Sequence, residues 1–443
     1  MTDNTLQGKR FFKIALISML VGLLGGFLAS LTYIFPDFLK EYQGLSRLRP
    51  IHVSYVMFWI IIGAVGGIYY GVAKLSGKPP QKNIAKVQMG LVILALVGIF
   101  YSYLAGDFGG REYWEFNPIW ALPIALAWLL FLVNFVNMAR TIKKWPVYVW
   151  MWMTGIVFFF LIFMENYLWI FPYFRENFVT DMTIQWKVAG SIVGAINQMT
   201  YGVAFFLMDR ITGNDSTKVG SSKLAFAVYF LGLFNLMFNW GHHVYPLPTE
   251  SYVRVIGYAV SMTEWILLIR IFYNWKKDIK EVQAYKHFFP YRFIAASNFW
   301  VLINLTIACF MSIPVLNIYV HGTHFIVAHS MGTTIGINTM ILLAAAFMIF
   351  MPKVDGDHLP PNRNLRISFW LVQISLMVLF MALNIAGLIK GFWLNSEHQE
   401  PFSLMMSNLH GYFVTFVIAG TFLLIGLYYI VATLFKYSLK KES

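Results

Sequence analysis

Long apolar runs alternate with short polar, charge-bearing segments from one end of the chain to the other, and this alternation predicts the fold first. A helix needs about 20 mostly apolar residues to cross the hydrocarbon core of a bilayer. Twelve runs reach that length, at residues 11–36, 51–75, 86–106, 117–139, 146–169, 184–209, 222–244, 251–274, 291–315, 323–351, 366–391 and 409–435. Lipid offers no hydrogen bonds, so each run must satisfy its own backbone as a helix. The pattern predicts an all-α integral membrane protein, a single twelve-helix bundle over residues 1–443, without internal repeat, low-complexity tract or appended soluble domain. Pro360-Pro361 marks a turn between two runs.

Composition sharpens this picture. Of 443 residues, 58% are hydrophobic and 12% charged, against about a quarter charged in a soluble chain. The net charge of +13 would suit nucleic-acid binding, but the bases fall in alternate loops, as membrane insertion requires. Lys74, Lys78, Lys82 and Lys86 share a side with Arg140, Lys143 and Lys144, with Lys276, Lys277 and Lys280, and with both termini. The opposite loops carry acids such as Asp107, Glu112, Glu115, Glu176, Glu397 and Glu400. The basic side is therefore expected to be cytoplasmic, with both termini there. Lys9-Arg10 before the first run resembles a signal peptide, but that run is long and leads into further spans, so it is expected to stay as the first helix. The single cysteine, Cys309, excludes an intramolecular disulfide framework.

The chemistry lies in polar residues within the spans. His52 opens span 2, His242-His243 close span 7, and His329 lies about two turns into span 10 counted from His321. One such histidine is readily explained by a hydrogen bond to a neighbouring helix. Four at one depth from three helices point to a haem or metal site. Adjacent histidines on a regular helix diverge by about 100°, so His242 and His243 share a centre only at a helix end or distortion. Gly241, Pro246 and Pro248 supply that setting. Glu264, inside span 8, is either a protonated helix contact or a metal ligand and proton donor. Lys187 is expected to reach outward, with Glu165 and Asn166 interfacial.

With these residues in place, the chain resembles the haem–copper oxidase superfamily, and within it the catalytic subunit of cytochrome-c-dependent nitric oxide reductases. The matching motifs are Gly110-Arg111-Glu112-Tyr113, Gly241-His242-His243, Glu264 and His321-Gly322-Thr323. The resemblance implies that His52 is an axial ligand of a low-spin haem b and His329 the proximal ligand of a high-spin haem b3. It implies that His242 and His243 bind a non-haem iron, that Arg111 contacts haem propionates, and that Glu112 binds calcium. The implied reaction couples two NO molecules to N2O and water. The implied setting is a bacterial-type inner membrane, with a membrane-anchored cytochrome c subunit as electron source and no nucleic-acid partner.

Two spans depart from the family, span 10 and span 6. Where the second axial histidine of the low-spin haem would stand, this chain has Met331, which is either a thioether ligand or packing. Where span 6 would give a metal-binding histidine and then a glutamate, it has Ala189 and Val193. Glu264 could complete a two-histidine, one-carboxylate set, with Asn197 or Gln198 as weaker donors. His324 reads as an outer-surface or propionate contact, with ligation as a lesser alternative. An oxygen reductase would need a tyrosine beside the metal, and Tyr229 is about 20 Å of helical rise from His242. A non-catalytic electron-transfer subunit or a proton-relaying transporter would also account for buried histidines.

Overall fold

The computed structural model describes residues 4–42, 44–213, 216–261, 263, 265–351, 353–354, 357–358 and 362–439. Twelve spans long and apolar enough to cross a membrane lie among them. They are α1 (Leu6–Leu31), α2 (Gly44–Ser76), α3 (Lys82–Ala105), α4 (Pro118–Ala139), α5 (Val147–Ile170) and α6 (Phe178–Thr212). Then follow α7 (Lys223–Val244), α8 (Ser251–Asp278), α9 (Phe288–Ser312), α10 (His324–Phe350), α11 (Arg363–Leu394) and α12 (Phe402–Leu439). All twelve predicted runs are present. Pro360-Pro361 lies outside the described residues.

Several helices start earlier than the apolar pattern predicts, among them α1, α2, α6 and α12, because their first turns carry polar residues. Helix α2 begins at Gly44, so His52 sits about two turns inside it rather than at its mouth. Arg47 and Arg49 look like loop residues in the sequence, yet each is held: Arg47 donates to the Leu104 carbonyl at 2.7 Å, and Arg49 pairs with two glutamates. Helix α1 begins at Leu6 despite Lys9, Arg10 and Lys13. Lys13 donates to the Ser438 carbonyl at 2.9 Å, and Asn4 to the Gly77 carbonyl at 2.8 Å. The start of α1, the α2–α3 turn and the end of α12 therefore share one end of the bundle.

Helices α2, α6 and α10 form the enclosed centre, and the others surround them. Between helices in lipid, packing and polar contacts replace the hydrophobic effect as the cohesive force. Buried hydrogen bonds accordingly tie the centre together. Trp59 on α2 donates to Thr339 on α10 at 2.9 Å, and Thr200 on α6 to Asn338 on α10 at 3.0 Å. Beyond these bonds, Met340–Phe350 of α10 is wholly apolar and buried. A hairpin of β1 (Phe108–Arg111) and β2 (Trp114–Phe116) lies between α3 and α4, at the end of the bundle where α2 starts.

Candidate functional site

His52 faces α1. Its Nδ1 lies 2.8 Å from the Gly22 carbonyl, which can only accept, so Nδ1 carries the proton and Nε2 keeps its lone pair. The ring lies over Gly26, where a Cβ would come within 2.4 Å of Nδ1, so only glycine fits there. A fixed Nδ1–H with a free Nε2 is the arrangement that orients a ligating histidine.

His242 and His243 sit in a 3-10 turn, Asn239–Val244, that ends α7. The tighter turn brings both rings to one side, with centroids 4.2 Å apart and planes 34° apart. Ser261 on α8 donates its hydroxyl to the Gly257 carbonyl at 2.6 Å, so its oxygen accepts from Nδ1 of His242 at 3.0 Å. Nε2 of His242 is therefore the free nitrogen. His243 lies parallel to Trp186 of α6, with planes 4° apart and centroids 6.3 Å apart.

Helix α10 supplies His329 and Met331. Thr323 caps its start by accepting from the Phe325 amide, and the α-helix His324–Met331 then widens into a π-helix, Gly332–Thr339. Such segments are rare and concentrate at functional sites. The widening occurs where Gly332 and Gly336 pass Asn304 and Trp300 of α9. Asn304 donates to Thr333, which donates to the His329 carbonyl, at 2.8 and 3.1 Å. Nδ1 of His329 is buried without a hydrogen-bond partner among the described residues.

His321 and His329 both lie close enough to His242 and His243 to act on them electrostatically. His329, and His321, which the sequence offered only as part of a motif, thus lie on the same side of the bundle as His242 and His243. His52 stands apart from this group, against α1. All of His52, His242, His243 and His329 are deep in the bundle yet keep some accessible surface, as side chains lining an internal space do. The contacts Trp59–Thr339 and Gly63–Leu342 make α2 and α10 parallel neighbours. Counting two turns back from Trp59, and a similar length back from Thr339, brings His52 and Met331 to about the same level. His324 points elsewhere, against Tyr33 and Phe413.

No third ligand joins the histidine pair among the described residues. Among the described residues, no three His, Cys, Asp or Glu side chains converge as a metal site. The face of α6 turned to α7 carries Trp186, Gly190 and Gly194; Gly190 lies against His243, where a Cβ would come within 2.9 Å of the ring, and Gly194 lies against Leu236. Ala189 is buried beside that face, and neither Ala189 nor Val193 offers a donor. Gln198 donates to the Tyr229 carbonyl, and Asn197 keeps a buried oxygen with no partner among the described residues. Glu264 lies outside the described residues. Tyr229 shares a hydrogen bond with Thr154 at 2.8 Å, far from the histidines, as its spacing predicted.

The loop residues are engaged with partners that the sequence did not reveal. Arg111 grips Asp181 of α6 through Nη2, at 2.9 and 2.7 Å, with its guanidinium 4.9 Å from the Trp169 ring. Its Nε is buried and has no partner among the described residues, leaving a donor for an acidic group. Glu112 accepts from Arg49 at 2.7 Å. Lys187 pairs with Glu165 of α5.

Fold and site together define a polytopic membrane protein with histidines converging in its centre. The chain belongs to the family described as cytochrome c and quinol oxidase polypeptide I, whose sequence profile matches residues 7–422. It is 24% identical to a nitric oxide reductase subunit of Stutzerimonas stutzeri, over 95% of this chain and 92% of that protein. It is 23% identical to a cytochrome c oxidase subunit 1 homolog of Agrobacterium tumefaciens, over 92% of this chain and 78% of that protein. Against a Cbb3-type cytochrome c oxidase subunit, CcoN1 of Stutzerimonas stutzeri, identity is 22% over 95% and 92%. A heme-copper terminal oxidase dimer solved by cryo-electron microscopy shares the fold, with a TM-score of 0.78 at 13% identity, covering 100% of this chain and 85% of that one.

Proposed function

We propose that this chain is a haem-bearing oxidoreductase subunit that reduces a small diatomic gas, with NO as substrate: 2 NO + 2 e- + 2 H+ giving N2O + H2O. The observation that carries the reading is the convergence of His329 from α10 with His242 and His243 from α7, while His52 and Met331 stand at one level on α2 and α10. His329 would hold a high-spin haem b3, and His52 with Met331 a low-spin haem b. The fixed Nδ1–H of His52 and the close-fitting Gly26 suit such a ligand, and the open Nε of Arg111 suits a propionate. Bound haems would supply one-electron chemistry and a site for a diatomic gas.

The residues of the chain supply the rest. Ser261 keeps the ring of His242 oriented with Nε2 unprotonated and free. His243, held between Trp186 and Gly190, narrows the space beside it. The residues described do not fit a three-ligand non-haem iron. Glu264 remains the proposed third ligand and proton donor. Similarity to a nitric oxide reductase subunit and to cytochrome c oxidase subunits supports a cytochrome c subunit as electron donor. The alternating loop charges support a bacterial-type inner membrane with both termini cytoplasmic.

A second reading is a haem electron-transfer subunit without a second metal; no third ligand joins the histidine pair among the described residues. Anaerobic assay of the purified protein with a reduced cytochrome c or an artificial donor separates the two. N2O formed from NO supports the first; haem oxidation and reduction without N2O supports the second.

A further inference from the structure

The family resemblance assigns a calcium ion to Glu112, but the structure fills that corner with a side chain. We infer that Arg49 is the resident cation of this corner and takes the place of a divalent metal. Arg49 Nη2 lies 2.7 Å from Glu112 Oε1, and Nη1 lies 2.5 Å from Glu115 Oε1. One guanidinium therefore bridges two carboxylates from the hairpin, one from the turn after β1 and one from β2. Calcium takes six to eight oxygens at about 2.3–2.6 Å. Here one oxygen of each carboxylate already accepts from a nitrogen, and no third metal-ligating side chain joins the two among the described residues.

The guanidinium also meets most of the charge: with both carboxylates ionised, Arg49 leaves one net negative charge on the cluster, spread over two groups that already accept from its nitrogens. Glu115 is largely buried and its Oε2 has no partner among the described residues. Two carboxylates without Arg49 would instead be a cation site.

The position of the clamp gives it a purpose. Arg49 precedes His52 by about one turn on α2. Ser54, just beyond, hydrogen-bonds Tyr103 at 2.7 Å and reaches the Tyr113 carbonyl at 3.5 Å. The hairpin is thereby fastened to α2 on both sides of His52. Arg49 is a positioning residue, and its role rests on the loop geometry whether or not the haem reading holds.

The test uses the full-length protein in detergent and calcium as the probe. Wild-type protein should carry well under one calcium per chain by elemental analysis, and its melting temperature should be the same in excess chelator and excess calcium chloride. Arg49→Gln should melt lower in chelator and recover on calcium addition, whereas Arg49→Lys should remain calcium-insensitive. Stoichiometric calcium in the wild type, or loss of its stability on chelation, overturns the inference. So does an Arg49→Gln protein whose melting ignores calcium. If Arg49→Gln does not fold, the wild-type and Arg49→Lys measurements decide alone.

Discussion

The hydroxyl of Ser261 accepts a hydrogen bond from Nδ1 of His242 at 3.0 Å while donating its own proton to the Gly257 carbonyl at 2.6 Å. This pair of bonds selects one tautomer of His242 and points Nε2 away from α8. Removing an orienting partner of this kind typically lowers metal affinity or activity roughly 10–100-fold. Ser261→Ala should lower NO turnover by that order and leave the haem absorption spectrum unchanged. Wild-type turnover in that variant would show that Ser261 has no part in orienting the site.

Gly190 meets His243 closely enough that any side chain must displace the ring or Trp240. Overpacking a filled site costs about 1–3 kcal/mol. Gly190→Leu should lower the melting temperature and abolish turnover, while Gly213→Ala, with nothing within 4 Å of its Cβ, should change neither. Equal behaviour of the two would show that the α6–α7 contact does not shape the site.

The proposed low-spin haem rests on Met331 as its second ligand. Met331→Ala should remove the low-spin signal while the high-spin signal held by His329 remains. Met331→His should restore a low-spin centre at a lower reduction potential, because His/Met ligation raises the potential above that of His/His. A low-spin spectrum unchanged in Met331→Ala would return the residue to packing.

The two glutamates of the hairpin should respond oppositely to neutralisation. Burial raises the proton affinity of Glu115 in the folded state above its ordinary value of 4.5, with Glu112 adding to it and Arg49 opposing it. A raised value means that the folded state favours the proton. The stability from this group is then complete below 4.5 and is lost as pH rises through the folded value. Glu115→Gln, which mimics the protonated form, should be neutral or stabilising near neutral pH and should flatten the pH dependence of melting. Glu112→Gln breaks the partly exposed pair with Arg49 and should cost up to about 1 kcal/mol. Thermal melts at mildly acidic and neutral pH check both; a larger loss in Glu115→Gln than in Glu112→Gln would contradict the assignment.

The spans were legible because apolar length is written directly into the chain. The first residues of α2 were not, because Arg47 and Arg49 find their partners only in the folded structure, at Leu104, Glu112 and Glu115. The same division runs through the site. His52, His242, His243 and His329 stand out as costly residues in apolar runs. Ser261, Trp186 and Asp181, which hold His242, His243 and Arg111, are ordinary residues made important by helix packing. The π-helix after Met331 left only a faint trace, Gly332 and Gly336 one turn apart where α10 passes α9.

Glu264 bears on the second metal. Glu264→Ala should lose non-haem iron while both haems stay, if this carboxylate completes the set with His242 and His243. Iron retained in that variant, counted by elemental analysis against haem, would exclude it as the third ligand.

The haem assignment stands or falls on the absorption spectrum of the purified protein, with haem and iron counted per chain. Two b-type haems are expected, one low-spin on His52 and Met331 and one high-spin on His329. A protein without a Soret band would contradict the haem reading altogether.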